Sequence, residues 1–286
     1  MSPFSHRLVS FTLAILSVLF FLPAGAREYV VHGPQGGLAM KLTLPDGFDA
    51  AHDRCPMVIL MHGIFSRKDY VPMPQLAKAL KRAGIASLRF DFDGHGASEG
   101  RPEDMTVPNE IADAKAIWDY VQGLPYVSCV GLLGHSQGGV IASMLAGQLA
   151  QTGGTVPKSM VLIAPGSVIK EATQGGSFFW QSFDPADPPE RLKLFGGFRT
   201  LGRDYLVTTQ TLDIYGTAAH YRGPVCLIHG TKDSIVPLWC SEKYVDVYGS
   251  DAASLHLVEG GDHTITRHRR QFIQQAVAFF QSTLVP

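Results

Sequence analysis

The sequence predicts an α/β fold with a mostly parallel sheet of eight strands and helices on both of its faces. Strand-like apolar runs alternate with helix-like segments along the 286 residues, and this alternation is typical of parallel sheets. Hydrophobic residues make up 45% of the chain, which is enough for one large core. No internal repeat or low-complexity tract interrupts the pattern, so we expect a single domain over residues 27–286.

The first third of the chain carries clear strand and turn signals. Residues 28–32 and 38–44 flank Pro34-Gln-Gly-Gly and are predicted to pair as an N-terminal hairpin. The next elements are predicted as a strand at 57–61, a helix near 74–83 and a strand at 86–92.

The remainder continues the alternation. Pro108 opens a predicted helix that Gly123 ends, because apolar residues between them recur at helical spacing. Further strands are predicted at 130–133, 160–164, 224–230 and 255–259. A helix follows the first of these, and the buried face of the last helix is predicted to carry Phe272, Ala276 and Phe279.

One segment, at about 167–221, departs from this rhythm. It is rich in glycine, proline and aromatic residues, and it lies between the sixth strand and the strand at 224–230. We interpret it as a small inserted cap that forms one wall of a substrate pocket. The alternative, a long unstructured loop, fits the aromatic content poorly.

The most informative motif is Gly134-His-Ser-Gln-Gly, which stands between a strand pattern and a helix pattern. This context is that of a nucleophile elbow, a tight turn that exposes the hydroxyl of Ser136. Gly134 and Gly138 flank the serine, where side chains would collide with the turn. The motif predicts Ser136 as a catalytic nucleophile rather than a residue of a structural turn.

A serine nucleophile needs a base and an orienting acid, which in this architecture follow in the order acid, then histidine. Asp233 comes just after the strand at 224–230, and His263 comes after the last strand. Asp262 adjoins His263 but is poorly placed to reach its ring, and Asp91 and Asp93 more plausibly organise a turn. Among the eleven histidines, the weaker candidates for the base are His62, His95, His135, His229 and His268, the last assigned to the final helix.

Acyl transfer also requires donors for the oxyanion of the tetrahedral intermediate. One predicted donor is the backbone N–H of Gln137 at the start of a helix, where the helix dipole adds partial positive charge. The other is the N–H of Ile64, in the loop His62-Gly-Ile-Phe. An ordinary strand-end turn at His62-Gly63 is the alternative interpretation.

The N-terminus has the form of a secretory signal peptide over residues 1–26. His6 and Arg7 precede an apolar run from Leu8 to Leu22, and an A-x-A pattern ends at Ala26. A membrane anchor is the alternative, but the run is short and contains hydroxyl residues. We therefore expect export to the periplasm or the medium, with no stable membrane anchor after cleavage.

Charge and cysteine usage limit the partners. The formal net charge is −1 and no basic run occurs, so nucleic acid is not an implied partner. No histidine or cysteine cluster has metal-ligand spacing, and we expect neither a metal nor a cofactor. Cys55 and Cys129 lie on strands expected to be neighbours, and a disulfide between them is one open possibility, while Cys226 is predicted to be buried. The sequence does not indicate an oligomeric state.

With these residues assembled, the chain resembles the α/β-hydrolases and, within that fold, the cinnamoyl (feruloyl) esterases. The resemblance runs from about Val30 to the C-terminus. Its most specific stretches are residues 89–100, 134–147, 224–233 and 258–263.

The resemblance implies hydrolysis of a small-molecule ester, of the hydroxycinnamoyl type, with the cap holding the aromatic acyl group. The triad and oxyanion donors that it implies are Ser136, Asp233, His263, Ile64 and Gln137. Gln174 matches a cap glutamine that is associated with the phenolic end of the substrate. Two features depart from the family pattern. The cap segment before Gln174, residues 168–172, is shorter than in the family, whose longer segment carries an aspartate for the phenolic hydroxyl that Glu171 does not clearly replace, and Arg199 stands where the family has tyrosine. Short-chain acyl esters therefore remain an alternative substrate class.

Other functions fit the sequence less well. A serine peptidase would need an acidic anchor for a substrate amino terminus, and no motif indicates one. A lipase-like enzyme would expose an apolar cap. A non-catalytic binding protein is disfavoured because serine, acid, histidine and oxyanion loop are all present.

Overall fold

The computed structural model describes residues 27–285. The predicted signal peptide, residues 1–26, lies outside the described residues. The strands are β1 (Arg27–His32), β2 (Gly37–Thr43), β3 (Cys55–Met61), β4 (Ala86–Phe90), β5 (Val127–His135), β6 (Met160–Ile163), β7 (Ser177–Phe178), β8 (Gln181–Ser182), β9 (Arg191–Leu194), β10 (Arg199–Gly202), β11 (Val225–Gly230) and β12 (Ala253–Val258). The helices are α1 (Met73–Arg82), α2 (Val107–Gln122), α3 (Gln137–Gln151), α4 (Ile169–Gln174), α5 (Arg203–Gln210), α6 (Ile214–Ala218), α7 (Trp239–Tyr248) and α8 (Arg269–Leu284).

Eight strands form one sheet in the order β1-β2-β4-β3-β5-β6-β11-β12. The hairpin of β1 and β2 is antiparallel, β2 is antiparallel to β4, and all other neighbours are parallel. The mostly parallel, eight-stranded sheet predicted from the sequence is confirmed. The chain continues from β3 to β4 on one side and later adds β5 on the other side. Ligands of such sheets bind at the carboxyl ends of the strands beside this reversal.

Helices cover both faces of the sheet, as the alternation of elements predicts. In β3, Met57, Ile59 and Met61 pack into one core, while Val58 and Leu60 pack into the other. This division follows from the two-residue period of a strand. Helices α1 and α8 cover the side of Val58, and α2, α3, α6 and α7 contribute to the opposite core.

Helix ends follow recognisable signals. Thr106 caps α2 by accepting a hydrogen bond from the backbone N–H of Asn109, and Gly123 is the C-cap residue of this helix. His268 was predicted within the last helix, but it is the residue before α8 and has a left-handed backbone with φ 54°. In α8 the fully buried residues follow an i, i+4, i+8 spacing, so Phe280, rather than the predicted Phe279, belongs to the core with Phe272 and Ala276.

The segment interpreted as a cap is built from short elements rather than from an unstructured loop. It contains α4, the hairpin of β7 and β8, the hairpin of β9 and β10, and α5. Its last element, α6, packs closely on α3. A glycine is required at Gly147 on α3, since a Cβ there would collide with the carbonyl oxygen of Thr217 on α6.

The four cysteines, Cys55, Cys129, Cys226 and Cys240, are free thiols. Cys55 and Cys129 do lie on the neighbouring strands β3 and β5, but no disulfide joins them. Cys129 instead directs its Sγ towards the carbonyl oxygen of Leu284 at 3.7 Å. Cys226 is buried, as predicted.

Candidate active site

Ser136 lies on a sharp turn between β5 and α3 and has a strained backbone, with φ 56° and ψ −124°. Positive φ is costly for a residue with a side chain, so neighbouring contacts must hold it. The Ser136 N–H donates to the carbonyl of Ile163 at 3.0 Å, and the Ser136 carbonyl accepts from Gly166 at 3.0 Å. A Cβ on Gly134 would collide with the carbonyl of Gly138, which explains why a glycine is required there.

The structure brings Ser136, His263 and Asp233 together. The Oγ of Ser136 lies 2.9 Å from Nε2 of His263, and Nδ1 of His263 lies 2.7 Å from Oδ2 of Asp233. The three residues come from the ends of β5, β11 and β12, which meet at one edge of the sheet. A hydroxyl, an imidazole and a carboxylate in this order can pass a proton from serine to histidine.

Several groups hold Asp233 as a carboxylate. Burial raises the pKa of Asp233, but the hydrogen bond and charge of His263 and the N–H groups of Val236 and Ile235 outweigh it, so this pKa lies below its ordinary value. Oδ1 of Asp233 accepts those two N–H groups at 2.8 and 2.9 Å. Oδ2 is therefore left to orient the histidine.

Asp262 has a different role from Asp233. Its carboxylate accepts hydrogen bonds from the hydroxyls of Thr264 and Thr266 and from the N–H of Arg267, and none from the ring of His263. These contacts shape the loop that carries His263. They agree with the lower rank of Asp262 among the candidate acids.

Two backbone N–H groups beside Ser136 are available to an oxyanion. Among the hydrogen bonds of residues 27–285, neither the N–H of Ile64 nor that of Gln137 has an acceptor. Both residues line the same cavity as Ser136. Gly63 permits this approach, since a Cβ there would lie 2.9 Å from the Cβ of Ser136. The structure thus places both predicted donors beside Ser136, and their role in stabilising an oxyanion stays a prediction.

Buried histidines support the loops of the site. Nδ1 of His62 donates to the carbonyl of Gly63 at 2.8 Å, and Nε2 of His135 donates to the carbonyl of His263 at 2.8 Å. Burial, as the largest cause, lowers the pKa of both rings to about 3, so both are neutral. These contacts agree with the structural roles assigned to them from the sequence.

His229, on β11, holds the loop that carries Asp233, a role that the sequence did not reveal. Its Nε2 donates to the carbonyl of Val236 at 3.0 Å and lies 3.5 Å from Oδ2 of Asp233, and its Nδ1 lies 2.8 Å from the hydroxyl of Ser241. Its place at the end of a buried strand, four residues before the acid, is the signal that could have indicated this role.

Sequence reasoning also missed the contacts of the Gln137 side chain. Its Oε1 accepts a hydrogen bond from the hydroxyl of Tyr205 at 2.6 Å, and its Nε2 donates to Oε2 of Glu110 at 2.6 Å. All three residues are buried, with Tyr205 on α5 and Glu110 on α2.

A cavity of about 240 Å³ opens at Ser136. Most of its lining is apolar, and no lining residue is charged. The full lining consists of Ile64, Ser136, Gln137, Gly166, Val168, Ile169, Ala172, Ser177, Phe178, Phe179, Trp180, Ser234, Ile235 and Val236. The predicted wall therefore comes from α4 and from the hairpin of β7 and β8.

The structure does not bring Gln174 to this cavity. Its side chain is exposed, and its Nε2 donates to the carbonyl of Gln210 on α5 at 2.8 Å. The interpretation of Gln174 as a substrate-binding residue is thus corrected: it ties two parts of the cap together. Glu171 also lies outside this cavity, and Arg199 places its guanidinium 5.9 Å from the ring centre of Phe65.

Over residues 27–285, no group of three or more histidine, cysteine or acidic side chains could hold a metal ion. In the same part of the chain, no helix is both long and apolar enough to span a bilayer.

The fold and the site define the class of protein. The Alpha/beta hydrolase family model matches residues 58–275, so the chain belongs to the alpha/beta hydrolase family. The structure of Est1E from Butyrivibrio proteoclasticus with ferulic acid bound superimposes with a TM-score of 0.83 at 25% identity, over 89% of this chain and 98% of that one. Ferulic acid is a hydroxycinnamate, so this likeness agrees with the predicted resemblance to cinnamoyl esterases.

Two curated relatives are named for other hydrolase activities, a lipase and a thioesterase. Lysophosphatidylserine lipase ABHD12 of Danio rerio is 24% identical over 70% of this chain, and the match spans only 48% of that relative. The mitochondrial palmitoyl-protein thioesterase ABHD10 of Mus musculus is 27% identical over 73% of this chain and 69% of the relative. With neighbours of esterase, lipase and thioesterase type, the family membership supports a hydrolase.

Proposed function

We propose that this protein hydrolyses carboxylic esters through an acyl-enzyme formed on Ser136. His263 takes the hydroxyl proton while Oγ attacks the ester carbonyl, and the N–H groups of Ile64 and Gln137 stabilise the oxyanion. The C–O bond to the alcohol then breaks, and His263 protonates the leaving oxygen. Water, activated by the same histidine, releases the acid and restores the serine. Asp233 orients the ring and stabilises its charged form.

The observation that carries this proposal is the continuous hydrogen-bonded arrangement from Asp233 through His263 to Ser136, at 2.7 and 2.9 Å. It is supported by the strained backbone of the serine and by two unused N–H groups beside it. A packing role alone would not require a hydroxyl, an imidazole and a carboxylate aligned at the mouth of a cavity.

The acyl group that this site favours is uncharged and of moderate size, either aromatic or short. The cavity carries aromatic side chains from the cap, Phe178, Phe179 and Trp180, and no charged group. The likeness to the ferulic-acid complex of Est1E supports a hydroxycinnamoyl group. The alternative is a longer acyl chain of the lipase or thioesterase type, which the relatives suggest and the apolar lining permits.

A panel of substrates tests both levels of the proposal. It contains methyl ferulate, nitrophenyl acetate, nitrophenyl palmitate and an aminoacyl anilide, each with the wild type and with Ser136→Ala. We expect the wild type to hydrolyse methyl ferulate and nitrophenyl acetate, and the serine variant to keep at most the residual acceleration of about 10³-fold over water that an oxyanion site alone supplies. A preference for palmitate would favour the lipase-like alternative, and wild-type rates in Ser136→Ala would contradict the mechanism.

A further inference from the structure

The side chain of Gln137 is held at both ends in the interior of the protein. The amide oxygen accepts from Tyr205 and the amide nitrogen donates to Glu110, each at 2.6 Å. Gln137, Glu110 and Tyr205 are 1%, 2% and 0% exposed. We call this set of three residues the Gln137 clamp.

The clamp adds to the backbone hydrogen bonds that hold the turn between Ser136 and Gln137. Gln137 is the first residue of α3, where the backbone N–H has no partner within the helix. The preceding residue, Ser136, is in a strained conformation. The Ser136 carbonyl, in the same planar peptide unit as the Gln137 N–H, accepts hydrogen bonds from Gly139 at 2.9 Å and from Gly166 at 3.0 Å. The buried side chain of Gln137 restrains the other end of this unit, so it contributes to the direction of the N–H towards the cavity.

We propose that Glu110 and Tyr205 are positioning residues for the oxyanion donor, and that through Tyr205 the cap is coupled to the catalytic step. This inference rests on the proposed function, in which the Gln137 N–H stabilises the oxyanion. Neither residue lines the cavity, so both act through Gln137.

A chain of side-chain contacts links Tyr205 to the cavity at Ser136. Tyr205 lies on α5, and its ring packs edge-on against Phe178, with ring centres 5.5 Å apart. Phe178 lines the cavity beside Ser136. A change in the acyl pocket can therefore reach the donor through two aromatic rings and one hydrogen bond.

The charge of Glu110 also bears on the site. The pKa of Glu110 is raised to about 8, with burial as the largest cause and the charge of Asp113 as a smaller one, while the hydrogen bond from Gln137 partly opposes the rise. The titratable groups that face Glu110 are His95, with Nδ1 at 3.9 Å, Asp113 on the same helix, and Tyr205. A neutral carboxyl does not repel an oxyanion, whereas an ionised one would.

The decisive comparison is between Tyr205→Phe and a matched control, Tyr221→Phe. Tyr221 is also buried and donates to the carbonyl of Pro157 at 2.9 Å, and neither residue contacts the clamp through a hydrogen bond. Both changes remove one buried hydrogen bond and should lower the melting temperature to a similar extent. Tyr205→Phe should reduce kcat by about 10-fold, a fraction of the 10²–10³ expected for losing an oxyanion donor. KM should change little, and the loss should be equal for acetyl and feruloyl esters.

Glu110 variants provide the second arm. Glu110→Gln keeps an acceptor for the Gln137 amide and should retain more kcat than Glu110→Ala. It should also remove a decline of kcat that the wild type is expected to have above a pH of about 8.

An NMR readout separates this inference from the proposed function. The backbone amide resonance of Gln137 should shift in Tyr205→Phe and in Glu110→Ala, and not in Tyr221→Phe. This shift does not depend on activity, so an inactive wild type would refute the proposed function alone. An unmoved Gln137 resonance, or equal kcat values in the two tyrosine variants, would overturn the clamp.

Discussion

The position of Asp233 beside His263 determines which carboxylate serves the base. Asp233→Asn should lower kcat by about 10⁴-fold and change KM little, because an amide favours the wrong histidine tautomer and cannot stabilise the charged ring. Steady-state kinetics on nitrophenyl acetate measures both constants.

Asp262→Asn is the control for that variant, since its carboxylate contacts two threonines and a backbone N–H of the same loop. It should mainly affect the stability of the loop. A large loss of kcat in Asp262→Asn, with Asp233→Asn nearly active, would reverse the assignment of the acid.

The positions of single residues were predictable where a motif determines the backbone. Ser136, Asp233 and His263 each follow a strand, so the sheet itself brings them to one edge. Gln174 was not predictable, because its contact with the carbonyl of Gln210 depends on how two short cap helices pack. The contact of Glu110 with Gln137 joins residues 27 positions apart and has no local signal.

At the scale of elements, helix α4 forms one wall of the cavity at Ser136 through Ile169 and Ala172, and we propose that the acyl group binds against it. Ala172→Phe should fill part of this space and reduce kcat/KM for methyl ferulate by at least about 10-fold, the scale of a steric misfit in an apolar pocket. Nitrophenyl acetate, with its small acyl group, should be hydrolysed almost as before.

Glu171→Phe is the matched control, because Glu171 lies on the same helix and is exposed outside the acyl cavity. It should leave the ratio of the two rates unchanged. Equal losses on both esters in Ala172→Phe would mean that α4 does not contact the acyl group.

Long elements were predictable and short ones were not. Central strands of the large sheet, such as β3, β4, β6 and β11, appear as apolar runs because both of their faces are buried. The cap strands have two to four residues, too few to display a period, and their turns depend on positive φ at Phe179, Trp180 and Phe195. The sequence therefore indicated a cap from its composition and its place, and not its internal structure.

At the scale of the whole molecule, buried titratable groups make stability depend on pH. Burial, as the largest cause, lowers the pKa of four histidines: His62, His95, His135 and His229. In the unfolded chain these rings have a pKa of about 6.5, so below that pH the unfolded state binds more protons than the folded state. The free energy of unfolding should therefore fall as the pH drops below 6.5.

Raised carboxyl pKa values act in the opposite direction. Burial raises the pKa of Glu110 to about 8 and that of Asp113 to about 6, so the folded state retains protons that the unfolded state has lost. Asp113 retains its extra proton in the folded state only up to about pH 6. Below that pH the four histidines, which bind more protons in the unfolded state, outweigh it. Above about pH 7 the unfolded histidines have lost most of their protons, so the Glu110 contribution prevails and the stability of the wild type should decline up to about pH 8.

Urea unfolding at a series of pH values measures this profile, with a maximum expected at about pH 7. Glu110→Gln should flatten the decline between about pH 7 and 8. A wild-type stability that rises across that interval would contradict the neutral, buried state of Glu110.

The central claim is that Ser136 is the nucleophile of an esterase. The most direct measurement is reaction of the folded protein with a fluorophosphonate, followed by mass spectrometry of the intact chain and of its peptides. We predict one adduct per chain, on Ser136, and a much slower reaction in His263→Ala because the base is missing. An adduct on another residue, or a folded wild type that does not react, would contradict the account.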